Sequence, residues 1–220
     1  SGSAESNIGG LVANNEESGY ISNSTVGAKL FRKKTLSGEE EKIYDGFNIY
    51  CYGNAGGVVC TNRGKIVASY FDSGSIEHNS KQEGVGGFVC SNYGEILESY
   101  VQGRRAESDK DIRNTGSGIV SRAGIVGGFV YYNSGIISDC YSNIWLTSSG
   151  AIAGFVYEDT DQSVISRCYS ISYKKAGENN TMAYPVEGPR TLVSTEVCIN
   201  GVLNDCFFLK KKKKNDKWEN

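Results

Sequence analysis

The sequence predicts an all-β protein, a right-handed parallel β-solenoid of about five to six stacked coils with divergent, capping ends. Three observations lead there: an internal repeat, a strand-like period within each repeat, and a composition weighted toward turns and strands. Of the 220 residues, 28 are Gly, close to twice the ~7 % average. Only 2 are Pro and 1 is Met, while 14 are Tyr. High Gly and Tyr with low Met disfavours helices, and low Pro excludes collagen-like or Pro/Gly-disordered chains.

The repeat is read by aligning the chain with itself. Gly56-Gly57-Val58-Val59-Cys60 continues through Asn62-Arg63-Gly64-Lys65-Ile66 to Ser69-Tyr70. Gly86-Gly87-Phe88-Val89-Cys90 continues through Asn92-Tyr93-Gly94-Glu95-Ile96 to Ser99-Tyr100. Gly127-Gly128-Phe129-Val130-Tyr131 continues through Asn133-Ser134-Gly135-Ile136-Ile137 to Cys140-Tyr141. A fourth copy, Ala153-Gly154-Phe155-Val156 to Cys168-Tyr169, has two extra residues in its turn. A divergent copy opens the chain at Gly9-Gly10-Leu11-Val12, and a half copy closes it at Gly201 to Phe207. The second Gly recurs at positions 10, 57, 87, 128 and 154, at intervals of 47, 30, 41 and 26. A short unit with variable insertions is what stacked coils with loops at one corner produce.

Each part of the unit has a physical reading. Gly-Gly-Phe-Val forms a short apolar strand, and Asn-x-Gly turns the chain because Asn and Gly accept positive φ. An aliphatic column follows (Ile66, Ile96, Ile137) and belongs in the core. Two residues later comes a water-facing position (Ala68, Glu98, Asp139, Arg167), then a small residue at a tight inner corner, then an aromatic. A third short strand is expected at Gly74-Ser75-Ile76 or Gly150-Ala151-Ile152. Successive windings at ~4.8 Å put like residues on like, and the doubled Gly marks a bend or a close approach between coils. A prism or a sandwich of three-stranded sheets would serve the same columns.

The solenoid domain spans 4–209, with 174–200, which holds Pro185 and Pro189, as an irregular cap and 210–220 as a basic tail or linker. The divergent first copy serves as the other cap, because an open β-edge invites aggregation. The insertions 26–52 and 103–117 read as surface loops and as the recognition elements. The first residues, Ser1-Gly2-Ser3, resemble a cloning remnant or the start of an excised fragment and carry no weight in the fold. A net charge of −2 excludes a basic nucleic-acid footprint, and no apolar run is long enough to span a bilayer.

The segments Gly-Gly-(Phe/Val)-Val-x-x-Asn-x-Gly-x-Ile-x-x-(Ser/Cys)-Tyr resemble the GLUG-motif repeat of large bacterial surface or secreted proteins, IgA-peptidase-like and adhesin-like. The resemblance covers roughly 9–25 and 56–169, with a remnant at 201–207. It departs at Cys60, Cys90, Tyr131 and Tyr157, where Gly is usual. It implies a non-catalytic spacer or binding surface in a secreted or surface-displayed polypeptide. Its partners would be neighbouring domains and a host protein or glycan. It brings no cofactor and no catalytic residues.

Candidate sites are few. Exposed aromatics are expected at Tyr93, Tyr131, Tyr132 and Tyr157, and basic contacts at Arg104 and Arg105. The column Tyr70, Tyr100, Tyr141, Tyr169 reads as an internal or half-buried ladder closing the coil. The seven Cys (51, 60, 90, 140, 168, 198, 206) show no Cys-x-x-Cys spacing and read as small buried column residues with free thiols. Free thiols also fit an intracellular setting or a toxin module. His78 is the one His, expected at an exposed strand end. Glu98 and Asp139, arrayed side by side, are the carboxylate pair an enzyme of polysaccharide lyase or hydrolase type would use. Asp159 and Asp161 read as an ordinary turn, and Lys210 to Lys214 as a solvated tail.

Overall fold

A computed structural model describes residues 6–27, 29–34, 38, 40–45, 47–80, 84–103, 118–121, 124–148, 150–171, 173–174, 184–185, 201–208, 213–214 and 217–218. The described chain winds as a parallel β-solenoid of five complete coils and part of a sixth. Each full coil supplies one short strand to each of five parallel sheets, here A to E. In the second coil these are Ala55–Gly56, Val59–Asn62, Lys65–Val67, Tyr70–Asp72 and Gly74–His78. The next two coils repeat that order, and every register pairs equivalent residues: Ile66 with Ile21 and Ile96, Ile96 with Ile137, Ile137 with Ile165.

The inward columns fill the core. Val59, Val89, Val130 and Val156 line sheet B, and Ile66, Ile96, Ile137 and Ile165 line sheet C, all without solvent access. Phe88, Phe129 and Phe155 stack inside with ring centroids 4.9 and 4.7 Å apart and nearly parallel planes. The winding pitch sets that spacing, and each such buried side chain contributes about 1.5–3 kcal/mol of transfer free energy.

Five strands per coil, not three, is the main correction to the sequence reading. Gly-Gly lies at the bend between sheets A and B rather than within one strand. A Cβ on Gly86 would meet the Val89 carbonyl of its own coil at 1.7 Å, and one on Gly87 would meet the Gly128 carbonyl of the next coil at 2.1 Å. Gly74–His78 belongs to sheet E, whereas Ile152–Ala153 opens sheet A of the fifth coil, so these were never equivalent.

The Asn-x-Gly turn also works differently. Left-handed residues lie elsewhere: Ser73, with φ of 57°, lies between sheets D and E, and Asn23, Ala68, Glu98, Asp139, Arg167 and Asp205, with φ of 48 to 56°, form the corner between sheets C and D. That corner throws the side chain outward, which explains the water-facing column. The Asn residues instead turn inward as a ladder. Asn15 Nδ2 donates to Asn62 Oδ1 at 2.7 Å, Asn62 to Asn92 at 2.8 Å, and Asn92 to Asn133 at 2.8 Å. Gly64, Gly94 and Gly135 are required by proximity, since a Cβ there would meet a carbonyl of the preceding coil at 2.0–2.2 Å.

The small column after the corner is likewise set by hydrogen bonding. Ser69 and Ser99 hydroxyls donate to the carbonyls of Val67 and Leu97, and the Cys140 and Cys168 thiols donate to those of Ser138 and Ser166. Each also accepts from a neighbouring coil, as in Ser69 N to Ser99 Oγ at 3.1 Å and Ser99 N to Cys140 Sγ at 3.4 Å. Only a small donor–acceptor side chain fits, hence Ser or Cys.

Both insertions leave the solenoid between sheets D and E. The first is shorter than expected, because Thr25–Gly27 and Phe47–Cys51 are solenoid strands. Between them runs an antiparallel hairpin, Lys29–Lys34 with Glu40–Asp45. The second enters after Tyr100–Gln102 and returns at Gly118–Ser121. From the expected cap, Tyr184–Pro185 pairs antiparallel with Tyr173–Lys174. In the basic tail, Lys213–Lys214 pairs with Lys217–Trp218.

Candidate functional site

With the core filled by inward columns, any recognition surface is built from the outward ones. The turn between sheets B and C projects the middle residue of Asn-x-Gly, because the Asn turns in and the Gly is pressed against the preceding coil. That middle residue is Arg63 in the second coil and Tyr93 in the third, both exposed. The Arg63 guanidinium carbon lies 5.4 Å from the Tyr93 ring centroid, within cation–π range. Tyr132, in the outward row of sheet B, sits 5.7 Å from Tyr93 with its ring tilted by 49°. Glu158 pairs in register with Tyr132 in the next coil. The row therefore runs across four coils as a cation, two aromatics and a carboxylate.

The expected residues divide accordingly. Tyr93 and Tyr132 come together. Tyr131 does not join them. It stacks on Tyr157 at 5.8 Å and packs over the position of Gly84. Tyr157 is only 7 % exposed, contrary to expectation. Arg104 and Arg105 lie outside the described residues, as does Cys198. Arg63 was missed, although it occupies the same turn position as Tyr93.

The tyrosine column is external and half-buried, as Tyr70, Tyr100, Tyr141 and Tyr169 alternate with inward Phe71, Val101, Ser142 and Ser170. The rings stack at 4.1, 4.8 and 4.9 Å. Their faces are consumed by one another, so a sugar ring has only edges and hydroxyls to meet. Burial, with neighbouring phenols, pushes Tyr141 up to about 12.

The carboxylate pair does not stand free. Arg167 clamps Asp139, with Nε at 2.7 Å from Oδ1 and Nη2 at 2.6 Å from Oδ2, and Ser138 donates to Oδ2 at 2.8 Å. These bonds hold the Asp139 carboxyl at about 2. A group so strongly ionised is a poor proton donor. Asp159 is buried, accepting from Ser163 Oγ and Gly201 N at 3.0 Å each, while Asp161 is exposed.

His78 is wholly buried in sheet E, not at an exposed end; its Nδ1 lies 3.0 Å from Ser121 Oγ, and burial lowers its pKa. Cys51 shares its column and is pushed up to about 12, chiefly by burial. Cys51, Cys60, Cys90, Cys140 and Cys168 are buried free thiols, and Cys206 is half-buried and free. Among the described residues no group of three His, Cys, Asp or Glu could hold a metal, and no helix is long and apolar enough to cross a membrane. Comparison with protein-family models, with curated proteins and with solved structures finds no match to this chain.

Proposed function

We propose that the chain is a non-catalytic structural and binding module of a larger bacterial surface or secreted protein. It acts as a rigid spacer that presents a binding row to a host protein or glycan. The observation that carries the reading is the row Arg63, Tyr93, Tyr132, Glu158, held on a scaffold whose inward columns are all filled. An exposed Tyr93 and a half-buried Tyr132 beside charged groups suit a ligand with both apolar faces and hydroxyls. The resemblance of the repeat to the GLUG motif supports the same setting. The clamped state of Asp139 weighs against the rival use of Glu98 and Asp139 in glycoside hydrolysis. The test is a glycan and host-protein array probed with the wild-type chain, Tyr93→Ala and Tyr132→Ala, with circular dichroism as the folding control. Binding that both substitutions weaken about tenfold or more supports the reading. Binding indifferent to both, or sugar release that Glu98→Gln abolishes, overturns it.

A further inference from the structure

The two ends of the solenoid differ in chemistry. The asparagine ladder has a direction: each Nδ2 donates to Oδ1 of the following coil, from Asn15 through Asn62 and Asn92 to Asn133. In the fifth coil the column position is Asp159. A carboxylate offers no N–H, and its Oδ2 already accepts from Ser163 and from Gly201. The ladder therefore terminates at that end. At the other end Asn15 donates upward, and its Oδ1 stands in the position that in coils two to four receives an amide from the coil below.

The apolar columns agree. Leu11 heads the column of Val58, Phe88, Phe129 and Phe155, linked by Leu11 N to Val58 O at 2.9 Å and Val58 N to Phe88 O at 2.8 Å. The four later members have no solvent access, whereas Leu11 is 48 % exposed. Ile8, Val12 and Ile21 are also only partly buried, while their column partners Ala55, Val59 and Ile66 are fully so. Among the described residues the backbone edge is equally open to pairing. In the second coil Lys65 N and Tyr70 N donate back to Gly19 O and Ser24 O, at 2.9 and 2.8 Å. Their first-coil equivalents are Tyr20 and Thr25. In the first copy the Gly-Gly, Asn, aliphatic and Ser positions all keep register with the second.

We propose that the outer face of the first coil is a docking surface for one further coil of the same repeat, stacked in parallel register. That coil would have an Asn whose Nδ2 reaches Asn15 Oδ1 and an aromatic or aliphatic residue that covers Leu11. The occupant is argued from continuity, since the same coil-to-coil interface already recurs through the molecule. The inference does not depend on the binding row.

The test replaces residues 1–7 with a copy of 124–151, whose last residue then precedes Ile8 as it precedes Ile152. A second version carries Asn133→Asp in the copy alone. The expected result is a higher thermal midpoint for the Asn version than for the unextended chain, with hydrogen exchange at Tyr20 and Thr25 slowed at least ~10-fold. The Asp version should gain less on both counts. An unchanged midpoint with a protease-sensitive graft overturns the proposal, and so does equal gain from both versions. Concentration-dependent dimerisation of the unextended chain that Leu11→Asp abolishes also overturns it, by making a second copy the occupant.

Discussion

Replacing Asn92 separates two accounts of the Asn-x-Gly motif. Asn92 has no solvent access. Its Nδ2 donates to Asn133 Oδ1 at 2.8 Å and to Gly94 O at 3.3 Å, and its Oδ1 accepts from Asn62 Nδ2 at 2.8 Å. Truncation to Ala removes three buried bonds worth about 1 kcal/mol each. Part is offset, because Asn62 Nδ2 keeps Gly64 O at 3.3 Å and Asn133 Oδ1 keeps Gly135 N at 3.3 Å. Adding the small cavity, the expected cost is about 2–4 kcal/mol. Asn15, at the open end, loses one strong ladder bond, and Asn15→Ala should cost about 1 kcal/mol. Equilibrium urea unfolding measures both. Asn92→Gly decides the matter: if the Asn were there for turn conformation, Gly would replace it at little cost. The ladder requires Gly to be at least as damaging as Ala. A loss under about 0.5 kcal/mol for Asn92→Gly, or equal losses at Asn15 and Asn92, would refute the reasoning.

Other perturbations follow from the same geometry. Glu98 holds a φ of 50°, so Glu98→Gly relieves a left-handed penalty of about 1–2 kcal/mol against a smaller entropy cost, and urea unfolding should show a net gain of up to about 1 kcal/mol. Gly128→Ala places a Cβ 2.1 Å from the Gly154 carbonyl and should destabilise by about 2–4 kcal/mol in the same assay. Asp139 is held at about 2, below its unfolded value of ~3.9, so its contribution is present above pH ~4 and is lost as pH falls toward 2. Thermal midpoints taken across that window should flatten in Asp139→Asn. His78 is also depressed, below ~6.5, so the unfolded chain binds its proton first and stability declines as pH falls below that value. In His78→Leu the slope between pH 7 and 5 should shrink, whatever the substitution does to the midpoint itself.

The sequence alone determined that successive repeats stack like upon like, and the structure decided that the stack is a parallel solenoid and not a prism or sandwich. A column such as Ile66, Ile96, Ile137 repeats because each residue contacts its own equivalent one pitch away, so the recurring letters encode the axis directly. The buried Cys columns were legible for the same reason. What happens around a coil is not encoded that way. Five strands instead of three, the corner at Glu98 rather than at Asn92, and the burial of His78 all depend on how the winding closes. The site shows the same division. That Tyr93 and Tyr132 are outward aromatics could be read from their columns. That they meet each other and Arg63, while Tyr131 packs toward sheet A and stacks on Tyr157, depends on how the chain bends at the two ends of sheet B. The tertiary structure also decided where the asparagine ladder stops: a carboxylate and an amide differ little as letters in a turn, but inside the stack only the amide can pass a hydrogen bond onward.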